Sequence, residues 1–106
     1  MSEADLQRVI LDWLKIRGIL HWRCELGGLR GGRGGGRRPN PMSGFPDIAG
    51  LWKRRFFVIE VKAPKGVLSP SQIEWRDKLV GQGCVYILAR SVDDVMTGFD
   101  GILAAG

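Results

Sequence analysis

The chain has 106 residues, 44% hydrophobic and 25% charged, and a formal net charge of +5. That balance excludes wholesale disorder, and no apolar run approaches the roughly 18 residues of a membrane span. The polar, acidic start MSEADLQR does not read as a signal or transit peptide. Cys24 and Cys84 form no CxxC pair and have no neighbouring histidine, so free thiols in a reducing cytoplasm are expected rather than a disulfide framework or a structural zinc site. The basic excess is concentrated: GGLRGGRGGGRR, residues 27 to 38, carries four arginines and no acid. Basic charge gathered in one segment points to a polyanionic partner.

In chain order, Ser2 with Asp5 three residues on has the spacing of a capping box, and Leu6, Val9, Ile10, Trp13, Leu14 and Arg17 follow helical spacing up to Gly18. ILHWRCE, residues 19 to 25, alternates as a strand, with Leu20, Trp22 and Cys24 on one face. From about 26 to 46 no periodicity survives, and Gly, Arg, Pro and Asn dominate. A loop of that length in so small a domain is functional or flexible, and its arginines favour nucleic-acid contact.

DIAGLW (47–52) and RFFVIEVK (55–62) read as an antiparallel hairpin turning at Lys53-Arg54. Ser69-Pro70-Ser71-Gln72 starts a helix whose predicted inward stripe is Ile73, Arg76, Leu79 and Val80. CVYILA (84–89) is an apolar strand, and Ser91 with Asp94 caps a last helix bearing Val92, Val95, Met96 and Phe99 on one side. The order α-β-β-β-α-β-α implies one α/β domain, a mixed sheet flanked by helices.

The chemistry gathers at one end of the hairpin. In a strand, Glu60 and Lys62 share a face and lie about 6.6 Å apart. Pairing about the Lys53-Arg54 turn sets Asp47 opposite a residue near 60. Two carboxylates and a lysine then meet. Hard cations such as Mg²⁺ or Mn²⁺ take a few carboxylates together with carbonyl, water and phosphate oxygens. The bland alternative is a salt-bridged Glu60–Lys62 pair on a solvated strand face, with Asp47 capping a turn.

Pro46-Asp47, followed thirteen residues later by Glu60-Val61-Lys62, resembles the PD-(D/E)XK nuclease signature. SEADLQ, GFPD, IEVK and LSPSQ in that order narrow the resemblance to the VRR-NUC (virus-type replication-repair nuclease) branch. The resemblance implies a restriction-endonuclease-like α-β-β-β-α-β core. It also implies metal binding by Asp47 and Glu60, assisted by the Val61 carbonyl, and catalysis by Lys62. Glu3 matches an acidic residue that the family brings to the metal, and Gln72 matches the glutamine after the SP turn. Both have local uses as well, Glu3 at the positive end of its helix and Gln72 in a capping box. Homodimers acting on branched DNA such as four-way junctions, in a phage or bacterial setting, are further implications of the resemblance.

His21, the one histidine, is read as structural, and Trp22 and Trp52 as core residues with base stacking as their other use. Arg30, Arg33, Arg37 and Arg38, with Lys65, are the candidate phosphate contacts. Two other functions fit the same residues: a non-catalytic nucleic-acid-binding module built on the Arg/Gly loop, and a nuclease directed at RNA. Neutralising the four loop arginines is expected to weaken DNA binding and to lower the slope of log K against log salt by about 0.9 for each phosphate no longer neutralised. Binding measured across a salt series checks this, and an unchanged slope would make the loop a tether.

Overall fold

A serine hydroxyl opens the first helix. Ser2 Oγ accepts from the Asp5 amide at 3.1 Å, and α1 runs over Glu3–Ile16 until Gly18, at φ +69°, turns the chain. Only half of the expected capping box forms, because the Asp5 carboxylate pairs with Arg8 instead, at 3.5 Å. The computed structural model describes residues 1–24 and 41–105. Arg30, Arg33, Arg37 and Arg38 therefore lie outside the described residues. The remaining elements are β1 Leu20–Arg23, β2 Ile48–Trp52, β3 Arg55–Val61, α2 Pro70–Gly81, β4 Val85–Ala89 and α3 Val92–Ala105. Their order is the one expected. No helix among the described residues is long and apolar enough to cross a membrane.

The four strands form one mixed sheet in the order β1-β2-β3-β4. β2 and β3 are an antiparallel hairpin in which Ile48 faces Ile59 and Trp52 faces Arg55. The connecting residues Lys53 and Arg54 both have positive φ, 50° and 69°, the twist that a two-residue hairpin loop requires. β4 runs parallel to β3 after the α2 crossover, with Glu60 beside Leu88 and Val58 beside Tyr86.

Alternation along β3 separates two environments. Phe57, Ile59 and Val61 join Ile48, Ile87 and Ala89 in a core closed by Leu6, Ile10 and Leu14 of α1 and Val95, Phe99 and Ile102 of α3. The Phe57 and Phe99 rings meet edge to face at 4.9 Å. Glu60 and Tyr86 share the opposite face with Val58, on the side where Gln72 of α2 reaches the sheet.

Three expectations need correction. No residue of α2 is fully buried, and Ile73 and Val80 are exposed. Its half-buried positions are Ser71, Gln72, Trp75, Arg76 and Leu79, and from Gln72 on they keep the i, i+3, i+4, i+7 spacing of one helix face. Trp22 is exposed rather than core, because no helix among the described residues packs on its face of β1. At α3, Ser91 Oγ accepts from the Asp94 amide, but Asp94 turns to the Arg90 amide (2.8 Å) rather than closing a box with Ser91.

The segment leading into β2 is held against α2. Phe45 packs edge to face on Trp75 at 5.0 Å, and the Pro46 side chain is buried. Gly44, at φ +90°, lies so close to α2 that a Cβ would sit 2.6 Å from the Ser71 carbonyl carbon. Glycine meets both demands, the left-handed conformation and the close approach.

Candidate active site at the end of the β2–β3 hairpin

With Ile48 opposite Ile59, position 47 falls opposite Glu60, as expected from the turn. Asp47 is pinned there: its Oδ2 accepts from the Val61 amide at 2.8 Å, and its carbonyl accepts from the Cys24 amide at 2.8 Å. Both ends of Asp47 are thus tied to the sheet, one to β3 and the other beside β1. Val61, expected to lend its carbonyl to a metal, contributes its N–H to the Asp47 carboxylate.

Glu60 is only 2% exposed, which rules out a solvated strand face. Its Oε2 accepts from Gln72 Nε2 at 3.3 Å, while its Oε1 is buried without a donor among the described residues. Burial pushes the Glu60 carboxyl up to about 8. Asp47 raises it further through its charge and a side-chain hydrogen bond, Lys62 opposes the rise, and Glu3 adds to it.

Gln72 serves both of its proposed uses at once. Its Oε1 accepts from the Ser69 amide (2.8 Å), its own amide donates to Ser69 Oγ (3.2 Å), and its Nε2 is left for Glu60. Glu3 is also brought in: from the first turn of α1 its Oε2 accepts from the Ala63 amide at 3.2 Å, just past the end of β3. Lys62 continues the ladder, donating its amide to the Ala89 carbonyl at 3.0 Å, and its aliphatic stem lies beside Gly66. The ion pairs among the described residues are Arg8–Asp5 and Arg76–Asp77, and Glu60–Lys62 is not one. Lys65 is exposed on the loop that follows. His21 is structural, its Nδ1 lying 2.7 Å from the Ile19 carbonyl. Trp52 packs against Phe99, with ring centroids 6.4 Å apart.

Tyr86 was not singled out from sequence. It lies on Glu60's face of the neighbouring strand, and its hydroxyl is buried with no partner among the described residues. Burial pushes it up to about 12, the charge of Glu60 adds, Arg76 opposes and Asp47 adds. The available signal was a tyrosine in the apolar strand CVYILA, in phase with Leu88 and so with Glu60. Burial also raises both thiols, Cys84 to about 11 and Cys24 with help from Asp47, so neither is a ready nucleophile.

Among the described residues no three His, Cys, Asp or Glu side chains are spaced to cage an ion unaided. The donor set is a carboxylate pair, one member with an orphaned buried oxygen, with the Glu3 carboxylate near enough to act on Glu60. That suits Mg²⁺ or Mn²⁺, which complete their shells with water and phosphate, better than a fully protein-liganded metal.

The VRR-NUC domain family model matches residues 38–93, more than half of the chain. The match includes Asp47, Glu60, Lys62, Gln72 and Tyr86 but not Glu3. A solved structure described as a VRR_NUC domain protein is similar over 100% of this chain and 91% of its own, with a TM-score of 0.70 at 20% sequence identity. No curated protein matches.

The raised Glu60 carboxyl has a direct consequence for stability. The fold binds this proton more tightly than the unfolded chain, whose glutamate titrates near 4.5. Its contribution to stability is therefore complete below about 4.5 and is lost as pH rises through about 8, an effect on the order of a few kcal/mol. Urea unfolding in chelator is expected to show wild type weakening from pH 5 to 8.5 and Glu60→Gln holding nearly level. Parallel curves for the two proteins would contradict the assignment.

Proposed function

The chain belongs to the VRR-NUC family, a nuclease-type family, and on that premise we propose that it is a divalent-metal-dependent endonuclease hydrolysing DNA phosphodiester bonds. The observation that carries this reading is the buried Glu60 carboxyl set beside Asp47 with one oxygen lacking a donor. Burying one carboxylate beside a second, half-buried one is costly unless a cation compensates them.

Asp47 and Glu60 would hold Mg²⁺ or Mn²⁺, with the Val61 carbonyl as a third candidate oxygen. When bound, such an ion polarises a phosphodiester and lowers the pKa of an attacking water. Gln72 fixes Glu60 by its second oxygen, and the Val61 amide fixes Asp47, so both carboxylates are held before substrate arrives. Lys62 offers its ammonium to the charge that develops on the phosphate. Glu3, anchored on Ala63, adds negative charge at the open side of the site. Lys65 and the arginines at 30, 33, 37 and 38 would hold the DNA backbone at a distance from the scissile bond.

Branched DNA such as a four-way junction is the proposed substrate, cut by a homodimer. Support for the dimer comes from an apolar row open to solvent on the sheet: Leu20, Leu51 and Phe56 lie in register across three strands, with Trp22 beside them. A second copy covering this row would bury surface that a small chain cannot cover itself. Sedimentation at micromolar concentration is expected to show a dimer that Leu51→Asp dissociates, and a monomeric wild type would remove this part.

Asp47→Ala and Lys62→Ala are each expected to lower metal-dependent cleavage by at least about 100-fold while leaving DNA binding largely intact. A panel of junctions, flaps, linear duplexes, single strands and matched RNA, with Mn²⁺ and with chelator, measures this. Binding without any cleavage by wild type would leave the non-catalytic module. Faster cleavage of the RNA members would move the substrate to RNA.

A further inference from the structure

Two buried oxygens in this protein lack hydrogen-bond partners among the described residues, Glu60 Oε1 and Tyr86 Oη. They are neighbours by construction of the sheet. Glu60 pairs with Leu88 and Val58 with Tyr86, so Tyr86 is the diagonal neighbour of Glu60 on the same face of adjacent parallel strands. Strand spacing and rise put the two Cα atoms about 8 Å apart, a span that an aromatic and a long acidic side chain can close between them. One of the two atoms is a hydroxyl, able to donate, and the other is a carboxylate oxygen, able to accept. Buried polar groups are almost always partnered, and an orphan is most often explained by a ligand, an ion or a bridging water.

We propose that Tyr86 is a positioning residue for Glu60, its hydroxyl donating through one bridging water to the Glu60 carboxylate and fixing the oxygen that Gln72 does not hold. The assignment rests on the metal-binding reading of Asp47 and Glu60. Gln72 then restrains Glu60 from α2 and Tyr86 restrains it from β4, so both arms of the β3–α2–β4 crossover converge on one side chain. The charges around the phenol are consistent with that place: Glu60 and Asp47 on the strand side and Arg76 on the helix side. Arg76 is itself engaged with Asp77 at 3.1 Å and does not occupy the hydroxyl.

Tyr86→Phe removes the hydroxyl and keeps the ring. Isothermal titration of the metal-free full chain with Mn²⁺ is expected to show affinity lowered about 10-fold or more, the usual size of effect when a partner of a metal ligand is lost. The thermal midpoint in chelator should fall slightly, because the water-bridged hydrogen bond to Glu60 has gone while the ring still packs. Unchanged Mn²⁺ affinity in Tyr86→Phe, beside a wild type that binds, would overturn the assignment while leaving the metal site standing. Failure of wild type to bind Mn²⁺ would overturn the metal reading and this assignment with it. A second measurement needs no substitution at the position. The chain has one tyrosine, so ¹³Cζ-tyrosine labelling yields one ring signal. That signal is expected to move on Mg²⁺ addition in wild type and to stay in Asp47→Ala, whereas a wild-type signal indifferent to Mg²⁺ contradicts the proposal.

Discussion

The hydrogen bond from the Val61 amide to Asp47 Oδ2, 2.8 Å long, joins the start of one hairpin strand to the end of the other, and the site depends on it. It exists because the two-residue turn at Lys53-Arg54 sets a register in which position 47 meets position 60. A slip of one residue would carry Glu60 to the α1–α3 side of the sheet and Ile59 to the α2 side, exchanging a carboxylate for a core side chain. The packed face of Phe57, Ile59 and Val61 forbids that slip. The hydrophobic core thus specifies the geometry of the charged end without touching it.

Around that bond, separate parts of the chain converge on Glu60. α2 contributes Gln72, whose reach is fixed because the same side chain closes the capping box with Ser69. α1 contributes Glu3, placed by the burial of Leu6 and Ile10 one and two turns further along the helix. The GFPD segment contributes Asp47, held in place by Gly44 against Ser71 and by Phe45 on Trp75. Each restraint is a local structural device first. Their common effect is a buried carboxyl held from several sides and raised by that burial, the group from which the proposed cation would displace a proton.

Much of this was legible in the residues. The hairpin turn, the alternation along RFFVIEVK and the Ser-Pro-Ser-Gln helix start are signals read within ten residues, and each led to the right element. The meeting of Asp47, Glu60, Gln72 and Glu3 was legible through the turn and through the ordered motifs. What escaped was set by contacts between distant segments. Tyr86 reaches Glu60's neighbourhood only through the parallel pairing of β3 and β4, which no local pattern announces. The inward face of α2 was half read: Arg76 and Leu79 are on it, but Gln72 and Trp75 stand where Ile73 and Val80 were expected, because Gln72 is drawn in by Glu60 and Trp75 by Phe45. Trp22 looked like core, since alternation tells which side chains share a face but not whether a helix covers it. The role of Gly44 depends on the closeness of Ser71, 27 positions away.

The central claim is that Asp47 and Glu60 form one divalent-cation site. Its most direct test is Mn²⁺ binding to the free protein, followed by water-proton relaxation, in wild type and in Asp47→Asn. The account predicts saturable binding by wild type that Asp47→Asn abolishes or weakens by at least about 10-fold, with the fold retained. Equal binding by both proteins, or none by wild type, would contradict it.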